Sequence, residues 1–129
     1  MDSKIEVTIV SPVFNEEENI LAFAKSIVDV MQENKWNWEL ILVDDGSTDE
    51  TAKNLEQCLK LSDSIRVLTL SKNFGQTPAI QAGFDRSNGK YLITLDSDLQ
   101  NDPKDIPRVL QKLIDENLDL VVGWRKDRK

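Results

Sequence analysis

Short apolar segments alternate with amphipathic segments along the whole chain of 129 residues. Five of the apolar segments have the length and composition of buried strands, at residues 5–10, 39–43, 65–70, 91–95 and 118–122. The segments between them carry apolar residues at helical spacing. This alternation predicts a three-layer α/β/α fold, in which right-handed crossovers join a mostly parallel sheet that helices cover on both faces.

Polar residues at the strand ends indicate where the helices begin. Asn15 is expected to cap the first helix, and Ser47 with Glu50 has the spacing of a capping box for the second. Pro78 suits the first turn of the third helix, and Asp102, followed by proline, suits the start of the fourth. The chain shows no internal repeat, so residues 1–129 are predicted to form one domain.

Composition excludes several classes of function. The net charge of −7 argues against general binding to nucleic acid. The absence of histidine excludes Ser-His-Asp hydrolysis and histidine zinc sites, and the single cysteine, Cys58, is expected to be a small core or boundary residue. No apolar stretch is long enough to span a bilayer and the start "MDSKIEVT" is not a signal peptide, which predicts a soluble, cytosolic chain.

Acidic residues cluster at the ends of predicted strands one, two and four. If the strand order is 3-2-1-4, these ends are neighbours and the acids converge at the carboxyl edge of the sheet. They are Glu16, Asp44, Asp45, Asp96 and Asp98. One acid in a turn is typical of a helix cap, but several together repel unless a cation offsets their charge. Asp96, Asp98 and Gln100 alternate along the loop and offer hard oxygen ligands, which suit Mg²⁺ or Mn²⁺.

Other nucleotide folds of this outline are excluded by their missing motifs. The first strand is followed by "SPVFNEE", and no glycine precedes Gly46, so the G-x-G-x-x-G motif of a dinucleotide dehydrogenase is absent. The P-loop of an ATPase is absent as well. Ser11 occupies the turn where a phosphoryl-transfer domain would carry its acceptor aspartate.

Five motifs in order, "VTIVSPVFNEEENI", "LILVDDGSTDET", "LSKNFGQTPAIQAGF", "YLITLDSDLQNDP" and "DLVVGWRKDRK", resemble those of the family-2 glycosyltransferases. The resemblance covers nearly the whole chain and implies their Rossmann-like GT-A nucleotide-sugar fold. Within that family, "DSDLQ" and "GWRKDR" are most similar to the polyprenyl-phosphate glycosyltransferases, of the dolichol-phosphate mannose synthase and bactoprenol-phosphate glucosyltransferase types.

The resemblance also implies roles for individual residues. Asp96 and Asp98 would be catalytic, and together with Gln100 they would hold Mg²⁺ or Mn²⁺. Arg125 and Arg128 would hold an acceptor phosphate, since a guanidinium suits phosphate oxygens, although a solvated basic tail explains them equally well. The residues implied to bind the nucleotide are Pro12, Phe14, Asn15, Glu16, Asp44, Asp45, Lys72, Asn73, Gly75 and Asp96.

The implied reaction is inverting, metal-dependent transfer of a sugar from a UDP- or GDP-linked donor to a polyprenyl phosphate at the cytoplasmic face of the membrane. Family members continue beyond the point that matches Lys129, so we expect an N-terminal part of a longer enzyme. A non-catalytic module that binds a nucleotide or a partner protein is the alternative. The sequence does not distinguish UDP from GDP, and it does not identify the sugar or the oligomeric state.

Overall fold

A computed structural model describes residues 4–34, 36–97, 103–116 and 120–121. Strands and helices alternate in it as the sequence predicts. The elements are β1 (Val7–Val13), α1 (Ile20–Asn34), β2 (Trp38–Asp44), α2 (Thr51–Leu59), β3 (Ile65–Thr69), α3 (Gln76–Asp85), β4 (Tyr91–Thr94), a single 3₁₀ turn (Pro103–Asp105), α4 (Ile106–Asp115) and β5 (Leu120–Val121).

The five strands form one sheet in the order β3-β2-β1-β4-β5, and every neighbouring pair is parallel. The expected order 3-2-1-4 is therefore confirmed. Apolar residues of α1, α2 and α4 share one core with one face of the sheet. Ala79 of α3 packs with Val10, Ile41 and Val43 on the other face. Because both faces are covered, β2 is buried along its whole length, as central parallel strands usually are.

Strand β1 is longer than its apolar segment suggested and continues through Ser11, Pro12 and Val13. Its pairing with β4 ends at Val10, whereas its pairing with β2 continues to Val13. The Pro12 carbonyl accepts a hydrogen bond from Ser97 Oγ at 3.1 Å, beyond the end of the β4 ladder. A proline is tolerated there because the side of the strand that lacks an N–H has no ladder partner to lose.

The predicted helix caps at Asn15 and Ser47 are wrong. Helix α1 begins at Ile20, and Asn15 adopts a left-handed backbone conformation with a φ of 51°. Helix α2 begins at Thr51 after Glu50, which makes no side-chain capping bond. Both polar side chains are instead used between loops, as described below. The predicted cap Asp102 lies outside the described residues.

Helix α2 contributes Cys58 to the core, where the side chain is fully buried, as the sequence predicted. Its Sγ atom lies 3.9 Å from the carbonyl oxygen of Ile20. Burial raises the pKa of this thiol to about 11, because the interior disfavours the thiolate. Cys58 is therefore a packing residue and not a nucleophile at neutral pH.

A buried carboxylate ties the amino edge of the sheet together. Glu39 of β2 accepts hydrogen bonds from the hydroxyl of Thr8 at 2.6 Å and from the backbone N–H of Asn88 at 2.7 Å. Arg66 Nε of β3 lies 3.5 Å from its other oxygen, Oε1. The charge of Glu39 is thus offset within the fold, and the turn after α3 is bound to β2.

Helix α3 lies unusually close to the sheet at Gly83. A Cβ atom on this residue would be 2.4 Å from Cγ1 of Val10 and 3.3 Å from Cγ2 of Val43. The missing side chain therefore sets the distance between α3 and the central strands. Within the parts of the chain that the structure describes, no helix combines the length and apolar character needed to cross a bilayer.

Candidate functional site

A pocket of about 290 Å³ opens at the carboxyl edge of the sheet, above β1 and between the ends of β2 and β4. Its walls come from the end of β1, from the loops after β1, β2, β3 and β4, and from the start of α3. The lining residues are Pro12, Val13, Phe14, Glu16, Asp45, Asn73, Gly75, Gln76, Asp96 and Ser97. The acids after three different strands therefore meet at one pocket, as their convergence in the sequence predicted.

Asp45 lines this pocket, with only 3% of its surface exposed. Its Oδ1 accepts the Phe74 N–H at 2.8 Å, and its Oδ2 accepts the Gly75 N–H and the Asn73 side-chain amide, both at 3.0 Å. The sequence interpretation invoked a cation to offset this carboxylate, but three N–H donors stabilise it here. A carboxylate has about four acceptor positions, so roughly one remains for a ligand.

The backbone of the loop after β3 rests directly on Gly46. This glycine has a φ of +73°, and a Cβ atom there would lie 2.4 Å from the backbone carbon of Lys72 and 2.5 Å from the backbone nitrogen of Asn73. A side chain at this position would push the loop away. Close packing at Gly46 and the hydrogen bonds to Asp45 together fix residues 72–75 against the turn after β2.

Asn15 and Asp44 connect loops and do not belong to the pocket lining. Asn15 Oδ1 accepts the N–H of Thr48 at 2.8 Å, and its own N–H donates to Ser47 Oγ at 2.9 Å. Asp44 Oδ1 accepts the Ser47 N–H at 3.0 Å. These bonds hold the loop after β1 against the turn after β2. A direct nucleotide contact at either residue stays a prediction.

Asp96 follows β4 and lines the pocket from the other side of β1 than Asp45, which follows β2. Its Oδ1 accepts a hydrogen bond of 2.9 Å from Nε2 of Gln76, the first residue of α3. Glu16 lines the same pocket and adds a further carboxylate with hard oxygens, on a loop that Asn15 and Glu17 bind to the turn after β2. Among the residues that the structure describes, no group of three His, Cys, Asp or Glu side chains is placed to hold a metal ion. Asp98 and Gln100, the other predicted metal ligands, lie outside the described residues.

An exposed aromatic side chain lines the pocket, and a second lies on the loop that carries two other lining residues. Phe14 lines it and is 43% exposed, while Phe74 is 49% exposed on the loop that Asp45 holds. Lys72 Nζ lies 5.3 Å from the centre of the Phe74 ring and is not among the lining groups. Exposed rings beside a cleft suit stacking of a planar ligand. Arg125 and Arg128, the predicted acceptor-phosphate residues, lie outside the described residues.

Three lining residues were missed by reasoning from the sequence, namely Val13, Gln76 and Ser97. Val13 and Ser97 were missed because the predicted strand one ended at residue 10. The sequence therefore did not show that β1 continues beyond the point where its pairing with β4 ends. Gln76 was missed because the third helix was expected to start near Pro78, two residues too late. Gly75 at the N-cap position, followed after two residues by Pro78 within the first turn, is the signal that marks this helix start.

Comparisons with known proteins agree on the kind of fold. The family model described as Glycosyl transferase family 2 matches residues 8–129. A dodecaprenyl-phosphate galacturonate synthase of Rhizobium johnstonii is 46% identical over 126 residues, which are 97% of this chain and 37% of that protein. An undecaprenyl-phosphate 4-deoxy-4-formamido-L-arabinose transferase of Proteus mirabilis is 40% identical over 125 residues, which are 96% of this chain and 38% of that protein. The chain thus spans little more than a third of these relatives.

Solved structures show the same architecture. TarS 1-349 of S. aureus, in complex with UDP, superposes with a TM-score of 0.68 at 18% identity, covering 88% of this chain and 33% of that one. The mannosyltransferase PcManGT of Pyrobaculum calidifontis, in complex with GDP-Man and Mn²⁺, gives a TM-score of 0.62 at 18% identity, covering 80% of this chain and 30% of that one. These likenesses confirm the GT-A fold.

Proposed function

Since this chain belongs to glycosyl transferase family 2, we propose that its pocket binds a nucleoside diphosphate sugar and that the sugar is transferred to a polyprenyl phosphate. The observation that carries the proposal is the pocket itself, which both Asp45 and Asp96 line. The strands before these two acids, β2 and β4, flank β1. Their carboxyl ends are therefore two strand spacings apart, roughly 10 Å, which suits an elongated ligand with different chemistry at each end.

The nucleoside is placed at the Asp45 end. Phe14 offers an exposed ring for the base to stack on, and Pro12 lies at the floor. Asp45 has room for roughly one more donor, which fits one base N–H or one ribose hydroxyl. Uracil and guanine both carry such an N–H, so either a UDP- or a GDP-linked donor is compatible with this end.

The diphosphate is placed at the Asp96 end. Asp96 supplies hard carboxylate oxygens there, which fits Mg²⁺ or Mn²⁺, and Asp98 and Gln100 are proposed to complete the ligand set. When bound, the cation offsets the negative charge that builds up on the leaving diphosphate. The protein's own part is to hold the diphosphate at a fixed distance from the base, so that the anomeric carbon faces the acceptor.

The acceptor is proposed from the relatives, which are named as a dodecaprenyl-phosphate synthase and an undecaprenyl-phosphate transferase. In an inverting transfer, a phosphate oxygen of the acceptor forms a bond to the anomeric carbon while the bond to the diphosphate breaks. The nucleoside diphosphate leaves with the electron pair. Because a phosphate is already anionic near neutral pH, this step needs no strong base, and the chain contains no histidine to act as one.

Further residues are proposed on the acceptor side. Arg125 and Arg128 are suited to hold the lipid phosphate, since a guanidinium binds two phosphate oxygens at once. A lipid acceptor places the reaction at the cytoplasmic face of a membrane. Nucleic acid is not an expected partner, because the net charge is −7.

Calorimetry with UDP and with GDP, each in the presence and absence of Mn²⁺, tests the proposal. We expect one of the two to bind, and to bind more tightly with Mn²⁺. The Asp98→Asn variant should lose the gain due to Mn²⁺ and keep its fold, whereas Asp63→Asn, at an exposed turn, should behave as the unsubstituted chain. Equal affinity with and without Mn²⁺, or no binding of either nucleotide, would refute the proposal. If Asp98→Asn kept the gain in affinity due to Mn²⁺, Asp98 would not be a metal ligand.

A turnover assay separates transfer from binding alone. The chain is incubated with a nucleotide sugar, Mn²⁺ and a polyprenyl phosphate, and release of the nucleoside diphosphate is followed. Turnover would establish transfer by these 129 residues. Nucleotide binding without turnover would instead favour a non-catalytic nucleotide-binding module.

A further inference from the structure

We infer that Gln76 is a positioning residue, which orients the Asp96 carboxylate toward the diphosphate end of the ligand; the inference rests on the proposed function. The bond that carries it joins Gln76 Nε2 to Asp96 Oδ1 at 2.9 Å. An ionised carboxylate only accepts hydrogen bonds, so Gln76 must present its amide nitrogen to it. A bond to one oxygen restricts rotation of the carboxylate about its side chain.

The backbone of Gln76 is itself fixed by the other acid of the pocket. Gly75 directly precedes it and donates its N–H to Asp45 Oδ2 at 3.0 Å, and the Phe74 N–H donates to Asp45 Oδ1 at 2.8 Å. Residues 73–76 therefore form a bridge from Asp45 to Asp96. The bridge crosses above β1, between the ends of the two strands that flank it.

An uncharged donor has a particular advantage in this place. A lysine or arginine at position 76 would offset the charge of Asp96 and compete with a cation for it. A glutamate would repel it. The amide of Gln76 holds the carboxylate in place while leaving its full negative charge to act on a ligand. The bridge thus makes the orientation of Asp96 depend on the same loop that Asp45 holds at the nucleoside end.

The test replaces Gln76 with methionine, which has a similar length but no donor. Gln81→Met is the matched control, because Gln81 lies on the same helix and donates to Asp85 Oδ1 at the same distance of 2.9 Å, away from the pocket lining. Binding is measured by calorimetry for UDP and GDP with Mn²⁺, and for UMP and GMP without metal. Thermal unfolding of both variants checks that the fold is kept.

We expect Gln76→Met to weaken metal-dependent binding of the diphosphate roughly fivefold, the effect of losing one hydrogen bond, and to leave monophosphate binding unchanged. Gln81→Met should change neither. Equal weakening of monophosphate and diphosphate binding would overturn the inference, since it would mean that Gln76 only shapes the pocket. So would unchanged diphosphate binding. If the unsubstituted chain shows no metal-dependent binding at all, the proposed function fails first and this inference fails with it.

Discussion

The Asp45 carboxylate offers a quantitative test of how the pocket is held together. In the Asp45→Asn variant, one of the two carboxylate oxygens becomes an NH₂ group of nearly the same size. If the remaining oxygen faces Gly75 and Asn73, the new NH₂ faces the Phe74 N–H, and two donors oppose each other. The opposite orientation loses two bonds instead of one. The best arrangement therefore loses one hydrogen bond to a charged group, a cost of about 1.5–3 kcal/mol.

This cost should appear as local opening of the loop, because the bonds join a surface segment to the sheet. Amide hydrogen exchange of Phe74 and Gly75, followed by NMR, should become roughly 10- to 150-fold faster. The control is Asp85→Asn, the same change at an acid that accepts a bond from Gln81 on the surface of α3. Unchanged exchange at Phe74 and Gly75 would refute the reasoning, and equal acceleration at every amide would mean that the whole fold, not the loop, depends on Asp45.

Two further predictions follow from the close packing at Gly46 and from the burial of Cys58. Gly46→Ala should destabilise the protein by about 2–4 kcal/mol in denaturant unfolding, because alanine resists a φ of +73° and its Cβ would lie 2.4 Å from the backbone of Lys72; a change below about 0.5 kcal/mol would contradict the close packing. Burial raises the pKa of the Cys58 thiol from 9.0 to about 11, so the unfolded chain ionises first and the free energy of unfolding should fall between pH 9 and pH 11. Cys58→Ala should remove this pH-dependent part of the free energy of unfolding, roughly 2–3 kcal/mol. The difference in unfolding free energy between the two proteins should then be constant below pH 9. If the two curves of unfolding free energy against pH stay parallel up to pH 11, the thiol is not buried.

The sequence was sufficient for the alternation of strands and helices and, given the strand order 3-2-1-4, for the edge at which the acids meet. Alternating apolar and amphipathic segments have few parallel arrangements, and residues such as Asp45 and Asp96 directly follow strands, so their position depends only on that order. The helix starts were harder to predict. Asn15 and Ser47 are good capping residues by type, but each forms hydrogen bonds with the other's loop, and such contacts between distant segments leave no local pattern.

The bonds around Asp45 were unpredictable for a similar reason. An acid in a turn can accept a ligand, a cation or a backbone N–H, and only the position of residues 73–75 decides among these. That position depends on the close packing at Gly46, which joins two loops 26 residues apart in sequence. Predicting the hydrogen bond between Gln76 and Asp96 also requires the correct start of α3. The sequence pattern placed that start two residues too late.

Two acids, Glu39 in β2 and Asp45 directly after it, hold α3 at both ends. Asp45 accepts a hydrogen bond from Gly75, directly before the helix, and Glu39 accepts one from Asn88, in the turn after it. Gly83, inside the helix, packs directly against the sheet. A helix fastened in this way cannot slide along its axis without breaking one of these attachments. The wall of the pocket that α3 supplies is therefore rigid before a ligand binds. The loss of conformational entropy on binding is small for this part of the protein, because it is already ordered.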